Sequence, residues 1–439
     1  MIVVSRPLFP RARLSRSAIP GLLIVVLCRP LPGQTPALSA AQRAAVVDTV
    51  ALRLAERYVD ADTGRLIGAV LRSRLRSGAY DRLDNPAQFA DRVTTDLRSV
   101  NRDLHLSLRH SPSGGQSGGG SAPARQTPAE RNFGFGRAEV LDGNVGYLEI
   151  TQFADGPGVD DAAAEALRFL ARTNALIIDV RRNGGGSSRT SHLVFSHFLG
   201  AEPVPTIDVK SRGRATPSRS YSTASVPGPR RVDVPLYVLT SQGTASAAEE
   251  FSFVLKNRKR AKIVGGRTAG AGHMVAGVPV GHGFTLGVSI TRVSDPESGL
   301  EWEGVGVTPD IVTTPEQALV AAHVAALREI IAQSTEPARS VVLTRLMEGQ
   351  AARLNPAPVD SRRLALFVGS YGETVISAVG GELRLARRVG ALSEALVPMG
   401  GDTFALGATR FRFETSPGGV RLVVEQANGA RVTFDRSSR

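Results

Sequence analysis

The stretch that most constrains this chain is Leu239-Thr-Ser-Gln-Gly-Thr-Ala-Ser246-Ala-Ala-Glu-Glu-Phe251. The apolar run over 234–239 predicts a strand, small flexible residues follow it, and 247–255 predicts a helix. A strand feeding almost directly into a helix is the building unit of an α/β layer. It sets Ser246 at a helix N-terminus, where unpaired N–H groups and the helix dipole favour negative charge. Such a position suits a hydroxyl that must ionise and an oxyanion that must be held. It suits equally well a serine that only caps the helix.

Upstream, Ala175-Leu-Ile-Ile-Asp179-Val-Arg-Arg-Asn183-Gly184-Gly185-Gly186 reads as a buried strand running into a glycine loop, where bare N–H groups can approach a carbonyl. Downstream, Trp302-Glu303-Gly-Val-Gly306-Val-Thr-Pro309-Asp310-Ile adds a third glycine-rich segment. In this order and spacing the three segments resemble the S41 peptidases, the family of C-terminal processing (tail-specific) proteases and of the tricorn core. Within that family the chain is most similar to the branch related to interphotoreceptor retinoid-binding protein. The resemblance runs from residue 41 to residue 314. It implies an α/β protease core of the ClpP/crotonase-like kind, and acyl transfer as its chemistry.

By that resemblance Ser246 is the nucleophile. Processing proteases take its proton with a lysine, but the matching segment Thr268-Ala-Gly270-Ala271 holds Ala271 there, and none of Lys210, Lys256, Lys259 and Lys262 falls on that position. The tricorn-like arrangement uses a histidine and a glutamate instead. It assigns the base to His105 of Asp103-Leu-His105-Leu, whose ordinary pKa suits proton transfer near neutrality, and the supporting carboxylate to Glu303. His273, just past the vacated lysine position, is the rival base or a substrate contact. The family pattern sets the oxyanion hole at the backbone N–H of Gly185, or of Gly184, together with that of Ala247.

Plainer readings stand beside these. His105 is an inert histidine, and Glu303 caps its glycine turn. Asp179 and Asn183 pin the glycine loop by side-chain hydrogen bonds. Glu249 and Glu250 stabilise the first turn of their helix. His192 and His197 lack the glutamate of a zincin helix, and the glycine loop lacks the lysine of a phosphate loop, so no metal and no cofactor is expected.

The formal charge of +13 suggests nucleic acid at first sight. Only four of the 53 basic residues are lysines, however, and the arginines are spread along the whole chain. No dense basic block is interleaved with aromatics, so a nucleic-acid partner is not expected. The N-terminus is basic (Arg6, Arg11, Arg13, Arg16), then apolar over 18–27, then rich in Pro and Gly. That is the pattern of a secretory signal peptide, too short to span a membrane comfortably. It predicts a signal over 1–33 and an exported protein, periplasmic or extracellular in a bacterial envelope, with no stable membrane insertion after signal removal. Cys28, the single cysteine, falls inside it and follows the bulky Leu27, so neither a lipid anchor nor any thiol in the mature chain is expected.

Helical spacing of apolar residues over 41–110 predicts an N-terminal helical subdomain. A Ser-, Gly- and Pro-rich stretch predicts a linker over 111–130. Alternating strands and helices over 131–335 predict the peptidase core, with an exposed excursion at 201–233. Short strands between glycine pairs over 360–439 predict a β-rich accessory domain, resembling the barrel-like modules appended to bacterial hydrolases. The segment before residue 148 is too short for a PDZ domain. The function expected is a secreted serine endopeptidase that cleaves unstructured polypeptides through an acyl-enzyme on Ser246. A histidine replaces the lysine of the Ser–Lys dyad as base, and a polypeptide is the one partner. Two alternatives remain: a non-catalytic protein on the same scaffold that binds an apolar ligand, and an esterase or amidase for a small substrate. The sequence leaves the oligomeric state open.

Overall fold

Three capped helices open the chain: α1 (Ala40–Arg57), α2 (Ala61–Arg76) and α3 (Pro86–Arg98). The computed structural model describes residues 37–111 and 126–437. The expected signal peptide, Cys28 and most of the expected linker lie outside the described residues. Ser39, Asp60 and Asn85 accept hydrogen bonds from the first turns that follow them, which satisfies N–H groups a helix start leaves unpaired. Val46, Val50, Leu54, Ile67, Leu71, Phe89, Val93 and Leu97 recur at helical spacing and are fully buried.

These helices do not close on one another alone. Residues 107–110, inside the segment expected to be helical, form strand β1 (Ser107–His110). Leu106 and Leu108 are buried while their neighbours are less so, a period of two rather than 3.6. β1 pairs with the long strand β10 (Phe284–Ser294), which also carries β9 (Met274–Gly281) and the hairpin of β5 (Pro205–Ser211) and β6 (Ser218–Tyr221). Val278, Val280, Phe284, Leu286 and Val288 of this antiparallel sheet share one core with the three helices. Helices α1–α3 are thus packed against a segment nearly two hundred positions downstream.

The central sheet runs in the order β11 (Ile311–Val312), β8 (Lys262–Gly265), β7 (Leu236–Thr240), β4 (Ala175–Asp179), β3 (Val145–Ile150) and β2 (Phe135–Leu141). Its pairs are parallel except β2 with β3 at one edge. β4 and β7 are buried at every position, the mark of strands covered on both faces. On one face α4 (Val159–Phe169), α5 (Ser188–Ser196) and α6 (Ala247–Asn257) pack with Ile178 and Val238. On the other, α7 (Ala318–Gln333) and α8 (Pro337–Leu354) cover Ile177, Tyr237 and Leu239. Asp179 lies opposite Leu239 in register, so the segments that follow β4 and β7 leave the sheet side by side. Beyond the carboxyl ends of adjacent parallel strands is where an open α/β sheet takes its ligands.

Helix α8, which no pattern in the sequence announces, faces two ways. Leu343 and Leu346 enter the core of the central sheet. Arg345 reaches Glu425 at 2.5 Å, and Glu348 receives Arg410 at 3.2 Å, both partners lying in the C-terminal module. That module follows α9 (Ser361–Phe367) and runs from β12 (Gly369–Tyr371) to β20 (Arg431–Asp435) as two antiparallel sheets of four and five strands. A bridge between Tyr371 and Arg436, and a bond of 2.8 Å from the Ser437 N–H to the Ser370 carbonyl, join the first strand to the end of the last. Phe367 and Phe413 stack at 4.4 Å in its interior, beside Tyr371 and Phe404. The architecture is an α/β core with helices and an all-β module attached. Among the described residues no helix is long and apolar enough to cross a membrane.

Candidate active site

The turn after β7 and the glycine loop after β4 are laced together. Thr244 Oγ1 donates to the Val180 carbonyl at 2.8 Å, Ser241 Oγ to the Arg181 carbonyl at 2.6 Å, and the Ala245 N–H to the Asn183 carbonyl at 3.0 Å. Asn183 itself is fully buried. Its amide donates to the Ile150 carbonyl, and its Oδ1 accepts the Gly185 N–H at 2.9 Å. Asn183 therefore pins the glycine loop. Asp179 instead holds Arg181 and the Tyr147 hydroxyl at the loop's start.

At the head of α6, Ser246 has φ 54° and ψ −121°. A serine that only caps a helix sits in the extended region, with negative φ. Holding a non-glycine residue here costs on the order of 1–3 kcal/mol, which the lacing around it must supply. Gly185 shows why no side chain can stand opposite. Its φ is +107°, and a Cβ there would lie 2.8 Å from Ser246 Cβ and 2.9 Å from the Ala245 carbonyl oxygen. The Gly185 N–H is already committed to Asn183. The N–H groups of Gly184 and Ala247 meet no acceptor among the described residues, and Gly184 is exposed.

Glu249, three residues after Ser246, has a role that the sequence reading missed. It is fully buried. Its carboxylate accepts the Ser246 N–H at 2.9 Å, Thr268 Oγ1 at 2.5 Å, the Gly270 N–H at 2.7 Å and the Ala271 N–H at 2.7 Å. Burial raises its pKa, and these four bonds oppose that rise. One carboxylate thus ties the serine turn to the loop that holds Ala271. The one signal in the sequence was its spacing from Ser246, that of a capping box. Glu250 turns instead toward α5, where Ser188 donates to it at 2.9 Å and the His192 ring pairs with it.

The loop held by Glu249 continues to His273, and here side chains from distant segments converge. His273 Nδ1 lies 3.1 Å from Asp103 Oδ2 and 3.8 Å from Glu303 Oε2. Glu303 Oε2 accepts the N–H groups of Gly272 and His273, at 2.6 and 2.9 Å. The side chains of His273 and Asp103 are 9% and 1% exposed, so the pair is shielded from water. Burial would lower the His273 pKa, but the hydrogen bond it donates to Asp103 and the charge of Glu303 raise it above the ordinary 6.5. Asp103 is pushed up by burial, yet its bond with His273 holds it at about 2. Burial drives Glu303 up to about 6.

His105 is differently placed. Its backbone N–H donates to Asp103 Oδ1 at 2.9 Å, while its ring Nδ1 is buried without a partner, and burial lowers its pKa. Asp103 thus orients His273 through the ring and His105 only through the backbone. No hydrogen bond joins the Ser246 hydroxyl to either histidine among the described residues. Asp103, His273 and Glu303 each offer an atom within 4.8 Å of the others, the composition of a cation site. The bond between His273 Nδ1 and Asp103 already occupies the atoms such an ion would need.

Residues 144–313 match the profile of peptidase family S41. That span holds the glycine loop, Ser246, Glu249, His273 and Glu303, and it excludes Asp103 and His105. The chain is 30% identical over 176 residues to a carboxy-terminal-processing protease of Bartonella bacilliformis, covering 39% of each protein. It is 29% identical over 160 residues to the carboxy-terminal processing protease CtpB of Bacillus subtilis, covering 36% of this chain and 32% of that one. The match therefore spans well under half the length of these relatives. Among solved structures, a photosystem II D1 C-terminal processing protease covers 64% of this chain at 18% identity and a TM-score of 0.40. The segment 144–313, with Ser246 at its strand-to-helix turn, is thus similar to peptidase family S41.

Proposed function

We propose that the protein is a serine endopeptidase that cleaves unstructured polypeptides, with Ser246 as nucleophile and His273 as base. The observation that carries this reading is the backbone of Ser246, strained out of the capping conformation and facing a glycine that leaves space beside it. Such strain, held by surrounding bonds, is a feature of reactive sites. The Ser246 oxygen attacks the substrate carbonyl carbon while His273 Nε2 takes its proton. The same nitrogen returns that proton to the leaving amine, and water then releases the acyl group by the same steps in reverse. Asp103 keeps the Nδ1 proton in place and balances the imidazolium, and Glu303 adds a second negative charge. The developing oxyanion is received by the N–H groups of Ala247 and Gly184. Gly185, with its N–H taken by Asn183, contributes room rather than a donor.

The test is mass spectrometry of an unfolded protein incubated with the full chain and with Ser246→Ala. New termini are expected with the parent only, since loss of a catalytic serine removes on the order of 10⁶ in kcat. Uncut substrate in both samples across pH 5 to 9 would sink the proposal. It would leave the retinoid-binding-protein-like reading, with a bound apolar ligand, or a small-substrate esterase or amidase.

His105 is the second candidate for the base, favoured by its unpartnered buried Nδ1. The pH profile separates the two. A base must be deprotonated, so kcat/KM rises through its pKa. His273, raised by Asp103 and Glu303, predicts an acidic limb above pH 6.5; His105, lowered by burial, predicts one below it. We expect the limb above 6.5, and a limb below it would transfer the role to His105. The basic and apolar N-terminus supports export to the bacterial envelope, where unfolded polypeptides would be the substrates.

A further inference from the structure

We infer that Tyr58, at the C-terminal end of α1, is a positioning residue for the catalytic base, acting through the same Asp103 oxygen that holds His273. The inference rests on the reading of His273 as base. The Tyr58 hydroxyl donates to Asp103 Oδ2 at 2.9 Å and accepts from Asn101 Nδ2 at 2.6 Å. Asn101 Oδ1 in turn accepts the backbone N–H of Asp103 at 3.3 Å, so Asn101, Tyr58 and Asp103 form a closed ring of bonds. Tyr58 is 1% exposed, and its ring meets the His273 imidazole edge-on, with centroids 6.4 Å apart.

The tyrosine is itself tied down from three sides. Its N–H donates to the Leu54 carbonyl, the next residue's N–H donates to the Ser289 carbonyl of β10, and Arg212 of the β5–β6 hairpin donates to its carbonyl at 3.3 Å. A hydroxyl held this way gives Asp103 one favoured orientation, with Oδ2 toward His273 and Oδ1 toward the His105 N–H. A carboxylate that accepts a bond from a buried hydroxyl is a weaker base, and bonds to charged groups are the strong ones. Tyr58 therefore also limits how tightly Asp103 holds the imidazolium. The other charged or titratable groups facing His273 are Glu303, Arg292 on β10 and His105 ahead of β1. Replacing the tyrosine hydroxyl changes none of them.

Tyr58→Phe keeps the ring that fills the core and removes only the hydroxyl. The expected result is a kcat about ten-fold lower, the scale of one lost bond to a charged group. KM should be unchanged, and the acidic limb of kcat/KM should move up by about one pH unit. Asn101→Ala, at an exposed position, leaves Tyr58 without its donor and should move both quantities in the same direction by less. The His273 ring titration is also followed by NMR in the Ser246→Ala protein, with and without Tyr58→Phe, a readout that needs no turnover. A shifted titration supports the inference even where no proteolysis is found, an outcome that would sink the peptidase reading alone. An unchanged His273 titration, or activity lowered equally at every pH with a lower Tm, would make Tyr58 a core residue only and overturn the inference.

Discussion

Asp103→Asn is expected to lower kcat by about 10⁴-fold with the fold retained, the size typical of losing the carboxylate behind a catalytic histidine. Asp103 Oδ2 accepts at once from His273 Nδ1 and from the Tyr58 hydroxyl. An asparagine that keeps its one oxygen on the His105 N–H must turn its NH₂ toward Nδ1. That moves the ring proton to Nε2, the nitrogen that must be free to accept from Ser246. The expected profile is a loss in kcat with little change in KM, measured on an unfolded polypeptide, with an unchanged far-UV circular dichroism spectrum as the control for folding. A loss under ten-fold would remove Asp103 from the machinery. The stability it contributes has its own signature. Its folded pKa, about 2, lies below the ordinary 3.8, so that stability is present above pH 4 and lost as pH falls through 2. The variant should therefore differ from the parent in stability at neutral pH and converge with it near pH 2.

Glu249→Ala should be among the most destabilising single changes available to this chain. Its carboxylate is the acceptor for three backbone N–H groups and one hydroxyl, on both sides of the site. Truncation leaves those donors buried without a partner and opens a cavity at the head of α6. The expected cost is about 3–5 kcal/mol, read as a lower midpoint in urea denaturation. Glu249→Gln keeps the volume but turns an NH₂ toward donors, so it should recover little. A cost under about 1 kcal/mol would mean that the Ala271 loop is held by something else. Activity should vanish in both variants, since the loop that carries His273 is anchored at this carboxylate.

The parts of the site written in contiguous residues were legible. Ser246 after an apolar run, the glycines after β4 and Glu303 in its glycine-rich turn are features of local backbone, and the strand and helix periods around them were readable. Asn183 as the pin of the glycine loop could also be anticipated, because an asparagine two residues before a glycine can reach its N–H. What was not legible depends on tertiary docking. Asp103 and His273 stand 170 positions apart, and they meet because α1–α3 pack on β9 and β10. The sequence favoured His105 as base and kept His273 as its rival. Only the direction of the Asp103 carboxylate separates them. Glu249 and Glu250 looked like a matched pair of helix-start charges, yet one faces the serine turn and the other α5. β1 was misread because its four residues follow helical segments without a strong turn signal. α8 was missed because two of its charged residues, Arg345 and Glu348, reach the C-terminal module on the side away from its apolar contacts, which blurs the apolar stripe.

The docking of helices α1–α3 onto a strand pair close to residue 280 has a consequence for safety. The nucleophile and its glycine loop can assemble within the central sheet. The aspartate that makes the histidine a base arrives only when the N-terminal helices have closed over β9 and β10. A chain that is part-way through synthesis would therefore carry the serine without that partner. Under the proposed function, an enzyme acting on unfolded polypeptides would in this way be silent for as long as it is unfolded itself, and would spare its own siblings until each copy is complete.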